Sequence, residues 1–181
     1  MIFSGGNREY PTGYALPRDN VLLLTCMDLR LLDNIVQFMN HDNLVNRYDH
    51  VVFAGAALGA VGAPGAKNEV GEPIDVSHWH DAFLEHLHAA ITLHEVKDLY
   101  ILEHRNCGAY SKYFHVVKEF GNSKKQQHAE ANCHRGYVRK LEKMTHAWCD
   151  DQKLPRLRIH KFLMDLRGNV SLLESSSKNG K

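Results

Sequence analysis

Two short apolar segments, each typical of a buried strand, lead directly into residues that bind metals. Residues 21–24 precede Cys26, and residues 99–102 precede His104 and Cys107. A short apolar run of this kind is typical of a strand in a parallel sheet, because helices cover both faces of such a sheet. If the two strands are neighbours, two thiol groups and one imidazole meet at the same edge of the sheet.

Strands and helices alternate along the chain. The predicted elements are strands over 21–25, 51–54, 99–102 and 157–166, helices over 31–39, 79–95 and about 128–149, and a hairpin strand over 170–173. This alternation predicts an α/β fold with a mainly parallel central sheet flanked by helices. Ligands of such sheets bind beyond the carboxyl ends of the strands, which is where Cys26 and His104 lie.

The length of 181 residues suits one domain. We expect this domain over 18–174, between an N-terminal extension (1–17) and a disordered tail (175–181). The formal net charge of +1 indicates neither a nucleic-acid nor a membrane partner. The polar N-terminus lacks the features of a secretory signal, so the four cysteines are expected in a reducing cytoplasm, where metal binding or catalysis is more common than a disulfide.

Two cysteines and one histidine form a three-ligand set that suits zinc. An open fourth position is typical of a catalytic zinc site, whereas four protein ligands are typical of a structural one. Asp28, two residues beyond Cys26, can accept the hydrogen of a zinc-bound hydroxide, and Arg30 can hold Asp28 through a two-pronged ion pair. An inactive site is the alternative, because Asp28 can instead become the fourth ligand.

The segments Cys26-x-Asp28-x-Arg30 and His104-x-x-Cys107-Gly108 together resemble the signature of the β-class carbonic anhydrases. The helix predicted over 79–95, which leads into the second segment, also resembles this family, and so does the strand over 159–165. The likeness covers about residues 18–174. It implies the β-carbonic-anhydrase fold. The two motifs together are more specific for this family than either motif alone.

The resemblance implies a zinc lyase, a carbonate dehydratase, which hydrates carbon dioxide reversibly to bicarbonate by a zinc-bound hydroxide. It implies one zinc ion per chain, with Cys26, His104 and Cys107 as its ligands. It also implies Asp28 and Arg30 as the catalytic pair beside the metal. A homodimer or higher homo-oligomer is expected, with carbon dioxide and bicarbonate as its small-molecule partners and no nucleic acid or membrane.

The sequence departs from the family pattern around the expected substrate pocket. Residues 53–59 stand where the family carries Arg-Asn-Ala-Gly-Asn, and the loop that follows is longer than usual. Glu103 replaces a common glycine, and Arg105 replaces a small residue. Two other functions therefore stay open: hydrolysis of carbon disulfide or carbonyl sulfide at the same site, or a non-catalytic zinc protein that binds bicarbonate or a partner.

Several further features allow two interpretations each. Cys133 and Cys149 can form a second zinc site with neighbouring histidines, but free thiols are the expected state. Glu103 either tunes the metal site or is a solvated charge at the end of a strand. Histidines 78, 80, 86, 88 and 94 either relay protons or form a solvated helix face, which we favour. The Gly/Ala-rich loop over 55–66 is not a phosphate cradle, because it lacks the Gly-Lys-Ser/Thr ending of such a loop.

Overall fold

The computed structural model describes residues 8–173, so the predicted tail over 175–181 lies outside the described residues. The strands are β1 (Val21–Thr25), β2 (Tyr48–Val52), β3 (Asp98–His104), β4 (Arg158–Met164) and β5 (Val170–Leu172). The helices are α1 (Leu32–His41), α2 (Ala57–Ala60), α3 (His78–His94) and α4 (Lys124–Asp151), with a π-helical turn at Ala109–Tyr113. Over the described residues, no helix is both long and apolar enough to cross a membrane.

The five strands form one sheet in the order β2-β1-β3-β4-β5. Neighbouring strands run parallel, except that β5 pairs antiparallel with β4. The predicted α/β fold with a mainly parallel sheet is therefore confirmed, as is the C-terminal hairpin.

Helices cover both faces of the sheet, which explains why β1 is apolar throughout. Leu22 and Leu24 pack on the face that carries α2, α3 and α4. Val21 and Leu23 pack on the opposite face, against α1 and the N-terminal residues Tyr10 and Tyr14. Every side chain of β1 is buried, so an interior position in the sheet, between β2 and β3, leaves little of its apolar surface in water.

Two elements, β2 and α4, begin several residues earlier than predicted, for a common reason. β2 runs over Tyr48–Val52 rather than 51–54, because it is the edge strand of the sheet and its first residues are polar and partly exposed. α4 begins at Lys124 rather than about 128. Ser123 starts this helix by a capping box with Gln126, and the first turn contains no apolar residue that could reveal it.

Asp98, at the start of β3, supports a prediction about stability. The side chain is fully buried and accepts hydrogen bonds from Arg158 (2.7 and 2.8 Å) and His160 (2.8 Å). Burial alone would raise the pKa of this carboxyl, but Arg158 and His160 outweigh burial and lower the pKa below its ordinary 3.8. We expect Asp98→Asn to lower the free energy of unfolding by about 1–3 kcal/mol at pH 7.

The pH dependence of this effect has a definite sign. A carboxyl whose pKa is lowered by folding adds stability above its unfolded pKa, and that stability is lost as the pH falls through the folded pKa. The difference between wild type and Asp98→Asn should therefore shrink below about pH 4. Urea denaturation at pH 7 and at acid pH measures it, and a difference that is constant with pH would contradict the ion-pair explanation.

Candidate metal centre

Cys26, His104 and Cys107 come together at the carboxyl ends of the two central strands. Cys26 directly follows β1, His104 is the last residue of β3, and β1 and β3 pair in parallel. The two Sγ atoms lie 3.7 Å apart, and one ligand atom from each of the three side chains lies within 4.8 Å of the others. All three residues are buried. Among residues 8–173 this is the only such group of three or more possible ligands.

The imidazole of His104 is oriented as a metal ligand would be. Its Nδ1 lies 3.0 Å from the carbonyl oxygen of Arg105, to which it donates a hydrogen bond, so the other ring nitrogen carries the lone pair. That nitrogen, Nε2, is buried and makes no hydrogen bond in the described part of the chain. A buried polar atom without a partner is costly unless something binds it. Together with two sulfur atoms, this nitrogen makes a donor set that fits zinc.

The two thiols differ in their readiness to ionise. A hydrogen bond from the Cys107 thiol lowers the pKa of Cys26 to about 4, with help from His104 and from the backbone N–H of Gly55, which lies 3.3 Å from the Cys26 sulfur. The same contact with Cys26, and burial, raise the pKa of Cys107. Because metals bind thiolates, an ion bound here has to displace the proton of Cys107.

Asp28 lies beside this group and is held by Arg30. The guanidinium donates to both carboxylate oxygens, from Nε to Oδ1 (2.8 Å) and from Nη2 to Oδ2 (2.5 Å), and the backbone N–H of Arg30 also reaches Oδ1 (3.1 Å). These hydrogen bonds from Arg30 lower the pKa of Asp28 to about 2. The Oδ2 atom lies 3.7 Å from Nε2 of His104. The two-pronged pair predicted from the sequence is thus formed in the structure.

A cleft of about 370 Å³ opens next to the Asp28–Arg30 pair. Asn106, Lys112 and Phe120 contribute to its walls. Because Asp28 and Arg30 also line the cleft, small molecules that enter it meet this pair.

The chain resembles a protein from Rickettsia bellii that is described as uncharacterized, at 31% identity over 151 residues, which cover 83% of this chain and 79% of the relative. The chain belongs to the family of this protein. A second uncharacterized protein, from Rickettsia conorii, is 26% identical over 151 residues, or 83% of this chain and 70% of the relative. No family model matches the chain.

Solved structures similar to this member of the family include two mutants of the β-carbonic anhydrase CafD of Aspergillus fumigatus. They show 14% identity and TM-scores of 0.46 and 0.44, and they match 88% and 85% of this chain and 91% and 88% of their own. The β-carbonic anhydrase CafA of the same fungus shows 15% identity and a TM-score of 0.40, over 88% of this chain and 77% of its own. With TM-scores below 0.5, these three likenesses do not identify a function.

Glu103 is fully buried, so the interpretation as a solvated charge at a strand end was wrong. The physical reason is that β3 continues to His104 and places Glu103 beneath α4 and the loop after β2. Its carboxylate accepts hydrogen bonds from the backbone of Ala57 (2.8 Å), the Nδ1 atom of His134 (2.8 Å) and the hydroxyl of Tyr110 (3.3 Å).

A second buried carboxylate, Glu130 of α4, contacts the turn between His104 and Cys107 and was missed by the sequence analysis. It accepts hydrogen bonds from the side chain of Arg105 and from the backbone of Asn106. A signal for it exists in the sequence, because Glu130 lies on the same helical stripe as His134 and the buried Val138.

The second zinc site considered for Cys133 and Cys149 is not formed in the part of the chain that the structure describes. Both residues are free cysteines, as expected. Burial raises the pKa of Cys133 to about 11 and also raises that of Cys149, so both thiols stay protonated and unreactive at neutral pH. His146, which shares the spacing of the metal motif, is directed instead at the carbonyl oxygen of Leu157 (3.2 Å).

The histidine-rich helix α3 lies away from the cleft. Four of its histidines, at 78, 86, 88 and 94, are exposed. His80 is half-buried and lies 2.9 Å from the carbonyl oxygen of Ala60, while His94 pairs with Asp49. This placement agrees with the solvated-face interpretation that we favoured.

Proposed function

We propose that this protein is a zinc-dependent carbonic anhydrase that converts carbon dioxide and water reversibly to bicarbonate. The observation that carries the proposal is a buried Cys–His–Cys group that could hold a metal, with a carboxylate fixed beside it. Oδ2 of Asp28 lies 3.7 Å from the free Nε2 of His104, and Arg30 donates hydrogen bonds to both oxygens of this carboxylate. The resemblance of the two motifs to the β-class signature supports the same conclusion.

Cys26, His104 and Cys107 would hold the metal. Zinc at such a site would supply Lewis-acid activation of water, whose pKa it can lower to about 7. The two thiol groups, once ionised, balance the charge of a divalent ion. All three side chains are buried, so bulk water competes little with them for binding to the metal ion.

Asp28 is suited to orient the attacking water rather than to store its proton. A carboxylate oxygen accepts about two hydrogen bonds. Oδ1 already accepts two from Arg30, whereas Oδ2 accepts one from Arg30 and keeps a free lone pair next to His104. Because the pKa of Asp28 is about 2, the group stays ionised at neutral pH and acts as a hydrogen-bond acceptor. The proton of the reaction then has to pass to buffer, because Asp28 does not retain it.

Arg30 keeps the site open. Its two-pronged hold on Asp28, together with a contact from Nη2 to the carbonyl oxygen of Asn106 (3.4 Å), ties the carboxylate away from the ligand set. A swing of Asp28 towards a bound metal would break charge-assisted hydrogen bonds, which are roughly twice as strong as neutral ones.

The proposal includes a cytoplasmic enzyme that works as a homodimer or higher homo-oligomer on a small-molecule substrate, without nucleic-acid or membrane partners. Free cysteines throughout the chain support a reducing compartment. Exposed apolar side chains at Met27, Leu29 and Leu32, next to the Asp28–Arg30 pair, support contact with a second subunit.

Stopped-flow hydration of carbon dioxide by the zinc-loaded protein tests this function. We expect activity that rises with pH between about 6.5 and 9, the range in which zinc-bound water commonly ionises. Protein treated with a chelator should be inactive and should recover when zinc is returned. Full zinc occupancy without hydration at any pH would contradict the proposal. Sulfide release from carbon disulfide by the same sample would then identify a hydrolase.

A further inference from the structure

We propose that Glu130 is a positioning residue for the metal centre, which it controls through the peptide group that orients His104. The inference rests on the metal binding proposed above but not on the reaction. Glu130 belongs to α4, is almost fully buried, and touches none of the three candidate ligands directly in the contacts that the structure gives.

The contacts form a continuous chain from the carboxylate to the imidazole. Oε1 of Glu130 accepts a hydrogen bond from the backbone N–H of Asn106 (2.5 Å). That N–H belongs to the same peptide unit as the carbonyl of Arg105, and this carbonyl accepts the hydrogen bond from Nδ1 of His104 (3.0 Å). A peptide group is planar, so fixing its N–H also fixes its carbonyl. Glu130 thereby sets the direction in which Nε2 of His104 points.

The other oxygen of Glu130 holds the same turn by a second route. Oε2 accepts from Nε and Nη2 of Arg105, at 3.0 and 2.9 Å. One carboxylate therefore binds the side chain of Arg105 and the backbone of Asn106, the two residues between His104 and Cys107. All three contacts are donations from N–H groups, which an ionised carboxylate satisfies best.

The turn needs such support because its backbone is not intrinsically favourable. Asn106 has a φ of +54°, in the left-handed region that L-residues other than glycine seldom adopt. Asparagine tolerates this region better than most residues. A carboxylate that accepts the N–H of Asn106 stabilises this conformation, which places Cys107 near Cys26.

Outer partners of a metal-binding histidine are known to matter for affinity. Loss of a group that orients a ligand typically costs 10–100-fold in metal affinity or activity. Glu130 acts one peptide further out than the usual partner, but no other side chain among residues 8–173 is seen to hold the N–H of Asn106.

The isosteric variant Glu130→Gln tests the inference. Glutamine offers one oxygen and one NH₂ group, so either the N–H of Asn106 or the guanidinium of Arg105 must face a donor instead of an acceptor. We expect zinc affinity, measured by competition with a chromophoric chelator, to fall by about 10–100-fold. The spectrum of the Co²⁺-substituted protein should change as well, because it reports the geometry of the ligands rather than the stability of the fold.

Asp98→Asn is the matched control. Asp98 is also a buried carboxylate that accepts hydrogen bonds from an arginine, but it lies at the opposite end of β3 from His104. This control should be destabilised yet bind zinc as wild type does, with an unchanged Co²⁺ spectrum. Equal losses of affinity in both variants, or an unchanged affinity in Glu130→Gln, would overturn the inference. A wild-type protein that binds no metal would overturn it along with the proposed function, whereas metal binding without hydration would leave it standing.

Discussion

Replacement of Asp28 by asparagine is expected to slow carbon dioxide hydration by about 10²–10³-fold, the usual cost of losing one preorganised hydrogen-bonding group from an active site. The metal content should stay at one ion per chain, because Asp28 is bound by Arg30 and lies outside the ligand set. Asparagine keeps the size of the side chain but loses the charge. Its amide can also present an N–H where the attacking water needs an acceptor.

Stopped-flow assays and metal analysis on the same samples of Asp28→Asn measure both quantities. Asp33→Asn is the control, since Asp33 is an exposed acidic residue in the first turn of α1 and close to Asp28 in sequence. The control should be as active as wild type. Loss of zinc from Asp28→Asn would show that Asp28 is a fourth ligand, and full activity in it would remove Asp28 from the mechanism.

The sequence predicted those residues of the site that lie a few positions beyond a buried strand. Cys26, Asp28 and Arg30 follow one buried strand within a few residues, and His104 and Cys107 follow another. The only long-range step is that the two strands pair, and the rule that ligands lie beyond the carboxyl ends of parallel strands supplies it. The register of β1 and β3, with Thr25 opposite Leu102, completes the juxtaposition.

The two buried carboxylates near the site, Glu103 and Glu130, could not be predicted in the same way. Glu130 lies 24 residues beyond Asn106 in the chain, and nothing local connects the two residues. In the sequence, Glu130 is a charged residue at a position where the helical spacing predicts an apolar one. The same pattern is expected near a solvated helix end, so it does not predict burial. Glu103 presented the same ambiguity at the end of β3. In both cases the pairing partners that make burial favourable come from elements distant in sequence.

The second large effect concerns the metal itself. Cys107→Ala should lose stoichiometric zinc, because removal of a thiolate leaves only two members of the three-residue group, Cys26 and His104. The loss should exceed the 10–100-fold that outer partners cost. A ligand at 1,000 times its Kd stabilises the folded state by about 4.1 kcal/mol. For a chain of this size that amounts to a rise in Tm of about 8–16 °C, since each kcal/mol shifts Tm by roughly 2–4 °C.

Thermal unfolding with and without zinc, under reducing conditions, measures this rise. Wild type should show it, and Cys107→Ala should not. Cys149→Ala is the matched control, because Cys149 is also a buried thiol whose pKa is raised by burial. It should lose some stability from the cavity that it creates, yet keep the full zinc-dependent shift. A zinc response that vanished in Cys149→Ala but survived in Cys107→Ala would place the metal on α4 and refute the site at the ends of β1 and β3.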